Sequence, residues 1–295
     1  MRIVSLLPST TEILFALGAG DDVVGVTFEC DYPADARQRR IVSTSTLPEG
    51  LQPDQIDRLV SERMAAGEDL YHLDRGALAG LDADLVVSQD LCAVCAVDVS
   101  DVRDALDYLA CRADVLTIDP NTLDEVLESV IVLGKATGTE SSAEEFVADL
   151  KARLDAVGTQ VAERRPVPAL VLEWTDPPFA PGHWVPDMVA AAGGVNSLGI
   201  AGRKSFRTTW ADVGRSAPEV IVSAPCGFGL DQSARLAAEL VDACVLPDVP
   251  LWAVDANASF ARPGPRLVDG VEALAAILHQ DAFGEPDPAL AVRIA

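Results

Sequence analysis

Met1-Arg2-Ile3-Val4-Ser5-Leu6-Leu7-Pro8-Ser9-Thr10-Thr11-Glu12-Ile13-Leu14-Phe15-Ala16-Leu17-Gly18 opens the chain and decides its fold class. The apolar run at residues 2–7 reads as a strand. Ser9, Thr10, Thr11 and Glu12 then supply side chains suited to capping a helix from about Glu12 to Leu17, and Gly18 to Gly20 stop it. Working outward, residues 23–27 and 41–42 read as strands, 53–62 as a helix, 84–88 as a strand, 99–110 as a helix and 115–118 as a strand. Strands that alternate with helices predict an α/β fold with a mostly parallel sheet covered on both faces.

The middle of the chain changes character. Leu123, Val126, Leu127, Val130 and Ile131 recur at helical spacing over residues 122–135. Phe146, Val147, Leu150, Leu154, Val157 and Val161 continue it over 141–164, an unusually long helix. Arg165-Pro166-Val167-Pro168 ends it, since proline removes a donor and biases its predecessor away from helix. A second strand-helix series follows: strand 169–173, a Pro-rich loop 176–184, helix 186–192, strand 219–223, helix 232–241, strand 251–254 and helix 265–279. The expected architecture is two Rossmann-like parallel-sheet lobes, 1–120 and 166–283, joined by connecting helices 121–165 that include one long backbone helix. Residues 284–295 read as a poorly ordered tail.

Composition narrows the function. The 295 residues are 49% hydrophobic and 23% charged, the profile of a globular protein. Lys and Arg number 22 against 46 Asp and Glu, a net charge of −24 that repels a phosphate backbone, so no nucleic-acid partner is expected. The acidity itself reads as a solvated surface or adaptation to salt. No run approaches the roughly 18 apolar residues of a membrane span, and the start lacks the order of a secretory signal. As the sequence stands, a cytosolic protein is expected, whose six cysteines are thiols or metal ligands rather than disulfides.

Ligands of open parallel sheets bind beyond the carboxyl ends of strands. Cys30 follows the strand at 23–27, Cys92 and Cys95 follow that at 84–88, and Cys226 follows that at 219–223. Four thiolates from loops facing one cleft would suffice for zinc or an iron–sulfur cluster. A redox C-x-x-C pair and ordinary packing thiols are the alternatives. Cys111 and Cys244 read as core. A second group, Glu173, Trp174, Asp176, Pro177, Pro178, Phe179, His183 and Trp184, combines aromatic faces with sparse polar groups, which suits a large planar ligand. A loop pinned to its own lobe by buried indoles is the competing reading. Phe228 adds a further aromatic at a strand end. The chain has no G-x-S-x-G elbow, P-loop or H-E-x-x-H, so binding is simpler than catalysis.

Ser5-Leu6-Leu7-Pro8-Ser9-Thr10-Thr11-Glu12, Asp31-Tyr32-Pro33 and Arg262-Pro263-Gly264-Pro265-Arg266 carry a resemblance. Over nearly its whole length the chain resembles the cobalamin and iron-siderophore periplasmic substrate-binding proteins of ABC importers. The resemblance implies a class III substrate-binding fold that grips a corrinoid or chelated iron between its lobes without catalysis and passes it to a membrane permease. It places Pro8, Ser9, Phe28, Asp31, Tyr32, Gln89 and Asp90 at the cleft from the first lobe. Trp174, Asp176, His183 and Trp184 line it from the second, and Arg262 and Arg266 match the motif before the last helix. Cobalamin is the ligand expected first, with ferric siderophore or haem as a further reading. The chain departs from the pattern in lacking an export signal or lipid-anchored cysteine and in carrying the thiols. The alternative function is therefore a cytosolic metalloprotein or redox enzyme built on Cys30, Cys92, Cys95 and Cys226.

Overall fold

Three apolar runs of the first 90 residues become adjacent parallel strands in the computed structural model, which describes residues 1–48, 50–66, 68, 70–89, 102, 105–106, 112–243 and 248–295. They are β1 (Ile3–Ser5), β2 (Val23–Thr27) and β5 (Leu85–Ser88), with Ile3 paired to both Val23 and Leu85. With β3 (Arg40–Ser45), β4 (Tyr71–Leu73) and β6 (Asp114–Thr117), they form a sheet ordered β4-β3-β2-β1-β5-β6 in which β4 alone runs antiparallel to its neighbour. All three residues of β1 and all four of β5 are buried. Such strands lack polar alternation because both faces are covered. Val4, Leu6, Val42, Leu73, Leu78 and Val86 meet in one core cluster on this sheet.

Helix α1 (Pro8–Ala16) starts four residues earlier than the hydroxyl run suggests. Proline's fixed φ and missing N–H suit the first helical turn. The expected capping hydroxyls therefore lie inside the helix. Thr10 and Thr11 donate back to the Leu7 carbonyl at 3.1 and 3.0 Å, and Ser5 Oγ lies 2.7 Å from Thr10 Oγ1. Gly18, at φ +81°, ends the turn as expected.

By its internal contacts the chain divides into two compact units, residues 1–120 with 127–147 and residues 121–126 with 148–295. The connecting helices α4 (Leu123–Thr137) and α5 (Glu140–Val161) each contribute to both. Helices α2 (Pro53–Ala66) and α3 (Arg75–Leu78) precede them in the first unit. No helix among the described residues is long and apolar enough to cross a membrane.

The second unit's main sheet is ordered β10-β7-β12-β13-β14. Its strands are β7 (Val167–Leu172), β10 (Gly194–Asn196), β12 (Val220–Ser223), β13 (Leu251–Val254) and β14 (Ala291–Arg293). Residues 284–295 are thus not a loose tail. β14 pairs antiparallel with β13, placing Val292 opposite Ala253, and Ile294 donates to the Leu251 carbonyl at 2.8 Å. Edge pairing satisfies backbone groups that a free tail would leave to water.

Side chains alternate across this sheet with the period of two that strands impose. Ala169, Val171, Val222, Trp252 and Val254 enter one core cluster, with α6 (Val185–Ala191) and α10 (Leu267–Leu278). Leu170, Leu172, Ile221, Leu251 and Ala253 enter the other, with α7 (Trp210–Arg215) and α8 (Leu230–Asp242). Each large apolar side chain so buried contributes about 1.5–3 kcal/mol relative to exposure. Arg153 on α5 clamps α10, donating from Nε to Glu272 at 2.9 Å and from Nη2 to Asp269 at 2.6 Å and Glu272 at 2.7 Å.

Gly270 of α10 packs where no side chain fits. A Cβ there would overlap the Ser259 carbonyl, at the end of the short helix α9 (Ala256–Ser259), and lie 2.7 Å from Met188 Cε. Gly270→Ala is expected to destabilise by about 1–3 kcal/mol. Urea denaturation checks this through a lower midpoint at unchanged slope; an unchanged midpoint contradicts the packing described.

Candidate functional site

The residue that follows β7 organises the second unit's strand ends. The Glu173 carbonyl accepts the Cys226 N–H at 3.1 Å, and the Phe228 carbonyl accepts the Asn257 N–H at 3.0 Å, which sets the loops after β7, β12 and β13 side by side. From there the chain turns into a small antiparallel sheet of β8 (Trp174–Thr175), β9 (Pro178–Ala180) and β11 (Phe206–Arg207), ordered β11-β9-β8. The stretch at 176–184 expected to be a loop thus contains a strand. Proline cannot donate to a ladder, but Pro178 is the first residue of β9, a position where it is tolerated.

The register decides what this sheet presents. Trp174 lies opposite Phe179, and Phe179 opposite Arg207, so the three share one face. Thr175, Pro178 and Ala180 are buried, so the opposite face is turned inward except at Phe206, which pairs with Ala180 and is exposed. On the outer face the Trp174 and Phe228 rings sit 5.6 Å apart at 38°, and the Arg207 guanidinium lies 5.9 Å from the Phe179 ring centroid. The Trp174 indole N–H is satisfied by the Asp176 carbonyl at 3.1 Å. The result is an aromatic strip, Phe228–Trp174–Phe179, with a cation at one end.

Glu173 fastens the strip to the unit. Its Oε1 accepts the Gly182 N–H at 3.1 Å and its Oε2 accepts the Ser205 hydroxyl, so one carboxyl joins the segments leading into and out of the small sheet. A Cβ on Gly182 would overlap Arg203 O and Ser205 N, which is why glycine stands there. The His183 N–H donates to the Arg203 carbonyl and the Gly202 N–H returns to His183 O, closing the same seam. Burial pushes the Glu173 pKa up to about 7; its two hydrogen bonds oppose this without cancelling it. His183 is held below its ordinary value by burial and by the charge of Lys204. Its backbone is left-handed at φ +48°, and its Nε2 is buried with no hydrogen-bond partner among the described residues.

The expected site residues divide. Trp174, Asp176 and Phe228 lie on or beside the strip, and His183 lies in the seam beneath it. Trp184 instead belongs to the core, with its indole N–H donated to the Phe260 carbonyl at 2.8 Å, so here the pinned-indole reading holds. Arg262 is partly buried. In the first unit Pro8 and Ser9 are buried at the start of α1, and Gln89 is buried after β5. Phe28 leans on Tyr71 at 6.1 Å, Asp31 lies 3.8 Å from Arg37, and Tyr32 is 49% exposed. Asp90, Cys92 and Cys95 lie outside the described residues, as do Cys111 and Cys244. Sequence reasoning missed Tyr71 and Arg207, each on a strand too short to announce itself. The signal for Arg207 was available: residues 188–211 contain Arg203, Lys204 and Arg207 but no Asp or Glu.

The metal reading finds no support here. Cys30 is 2% exposed, with its sulfur 3.1 Å from Thr11 Oγ1 and 3.2 Å from Thr27 Oγ1, a thiol packed among hydroxyls of the first unit. Cys226 is exposed in the second. Among the described residues no three His, Cys, Asp or Glu side chains gather to hold a metal.

A periplasmic binding protein family model matches residues 3–234. The chain is 25% identical to YvrC, an uncharacterized ABC transporter substrate-binding lipoprotein of Bacillus subtilis, over 96% of this chain and 82% of that protein. It is 22% identical to the vitamin B12-binding protein of Vibrio cholerae serotype O1, over 92% and 86%. A crystal structure of the periplasmic vitamin B12 binding protein BtuF of Vibrio cholerae matches with a TM-score of 0.65 at 22% identity, over 94% of this chain and 96% of that one. A periplasmic heme binding protein from Pseudomonas aeruginosa matches with a TM-score of 0.72 at 18% identity, over 98% and 96%. These relatives are a lipoprotein and periplasmic proteins, so the cytosolic expectation finds no support among them.

The Glu173 carboxyl makes a signed pH prediction. Between the ordinary glutamate value of 4.5 and about 7, the folded chain keeps a proton that the unfolded chain has released. Its contribution to stability is present at the acid end and is lost as pH rises through about 7. Glu173→Gln mimics the protonated carboxyl, so the stability of the variant relative to the wild type should rise across that window. Denaturation midpoints from about pH 5 to about pH 8 check this; a difference curve flat over the window contradicts it.

Proposed function

The chain belongs to the periplasmic binding protein family, and from that premise we propose that it is the substrate-binding component of an ABC importer, acting outside the cytoplasm, and that it captures a corrinoid. Members of this family bind their ligand without transforming it. The observation that carries the ligand reading is the aromatic face Phe228–Trp174–Phe179 at the carboxyl ends of the second unit's strands. Flat π-surfaces next to a few fixed polar groups suit a planar macrocycle, and adjacent antiparallel strands spaced about 4.8 Å apart make the face roughly 10 Å wide from β8 to β11. The likeness to the Vibrio cholerae vitamin B12-binding protein supports a corrinoid as the occupant.

Haem is the second reading, since the same face accepts any planar macrocycle and the fold is shared with a heme binding protein. A permease partner and ligand hand-over follow from the importer role.

Titration of the purified chain with cyanocobalamin, followed by calorimetry and tryptophan fluorescence, tests the proposal, with hemin and a ferric siderophore as parallel arms. One ligand per chain at micromolar affinity or tighter is expected. Trp174→Ala should weaken it by about 1–2 kcal/mol, a factor of roughly 5–30. No binding of any of the three up to millimolar concentration would falsify the reading.

A further inference from the structure

The hairpin tip beside the aromatic strip carries a negative charge that no cation pairs with among the described residues. Thr175 is opposite Pro178, which leaves only Asp176 and Pro177 to join β8 to β9. Proline fixes its own φ, so a connection this short has little freedom. The Asp176 carbonyl accepts the Trp174 indole N–H at 3.1 Å, which sets the residue against the edge of that ring. Its side chain is exposed, and its carboxylate makes no hydrogen bond or ion pair among the described residues.

An ionised carboxylate is acceptor-only. At the rim of a flat aromatic face it accepts from an amide N–H or a hydroxyl on the edge of a stacked ring and repels another carboxylate there. Stacking displaces water from the face, so the repulsion acts through a lower dielectric than in bulk solvent. The net charge of −24 has the same sign, but at physiological salt it is screened beyond about 8 Å, so the nearest carboxylate dominates. Arg207 does not offset it: it stands two strands from Trp174, on β11, and is already engaged within the chain. Recognition sites reach specificity through such built-in repulsion as well as through attraction.

We propose that Asp176 is a specificity-determining residue of this site. It admits macrocycles whose rim is uncharged and bears hydrogen-bond donors, and it turns away those whose rim bears carboxylates. This rests on the ligand reading above and narrows it, since a ring edged with amides is favoured over the same ring edged with acids. No covalent step is involved.

Two ligand pairs test it, each differing only in charge at the rim. Cyanocobalamin is compared with its monocarboxylic acid, in which one corrin side-chain amide is hydrolysed and the phosphodiester is kept. Hemin dimethyl ester is compared with hemin. Calorimetry of the full chain is expected to show the uncharged member of the binding pair held about tenfold tighter. Added salt should shrink that gap in the wild type. Asp176→Asn should close it by raising the affinity for the carboxylate member, a gain that a damaged fold would not produce. Equal binding of both members, or tighter binding of the acid, overturns the proposal and leaves the planar-ligand reading standing. A gap that persists in Asp176→Asn overturns it as well, because the discrimination would then come from the acidic surface as a whole. Failure of all four probes to bind removes the ligand reading and the proposal together.

Discussion

The carboxyl of Glu173 is the constraint on which the candidate site depends. It stands where β7 leaves the main sheet, and it accepts from Gly182, just after β9, and from Ser205, just before β11. An enclosed carboxyl is costly to keep charged, so the group holds its proton to a higher pH than an exposed glutamate while still tying the two segments. Glycine at 182 allows the close approach that makes the tie possible. With the seam closed, strand pairing leaves no choice about which residues face outward. Trp174, Phe179 and Arg207 fall on one side because their Cα atoms are paired across the strands.

Much of the scaffold was legible because parallel strands buried on both faces read as apolar runs. β1, β2, β5, β7, β12 and β13 all lie at or within about two residues of the positions their patterns indicate. The principle that ligands gather at strand ends then directed attention to Trp174 and Phe228, which the structure brings into ring contact. What failed to show were elements whose stability comes from partners distant in sequence. β9 and β11 are three and two residues long, too short for periodicity to register, and they exist through pairing with each other and β8. β14 likewise pairs with β13, nearly forty residues earlier in the sequence, and is too short to register as a strand. Trp184 was misread for a related reason. Its neighbour His183 lies in the seam that Glu173 closes, but the Trp184 indole points into the core and finds the Phe260 carbonyl there.

Charge and thiols teach opposite lessons about sequence proximity. The acidity of the chain is spread so widely that it identifies no partner, yet the one long interval free of acid coincides with the cationic end of the aromatic face. Cys30 sits close behind a strand end, as a ligand-facing residue would, but the backbone turns it inward and its sulfur settles among the hydroxyls of Thr11 and Thr27. A small hydrophobic thiol with weak hydrogen-bonding capacity is well suited to such a niche. Position after a strand therefore identifies a loop worth inspecting, while side-chain direction decides its use.

A crystal structure of the chain grown with cyanocobalamin or hemin tests the central claim most directly. The account predicts electron density for the macrocycle against the Trp174 and Phe179 rings. A macrocycle bound elsewhere, with the outer face of the small sheet left bare, would contradict it.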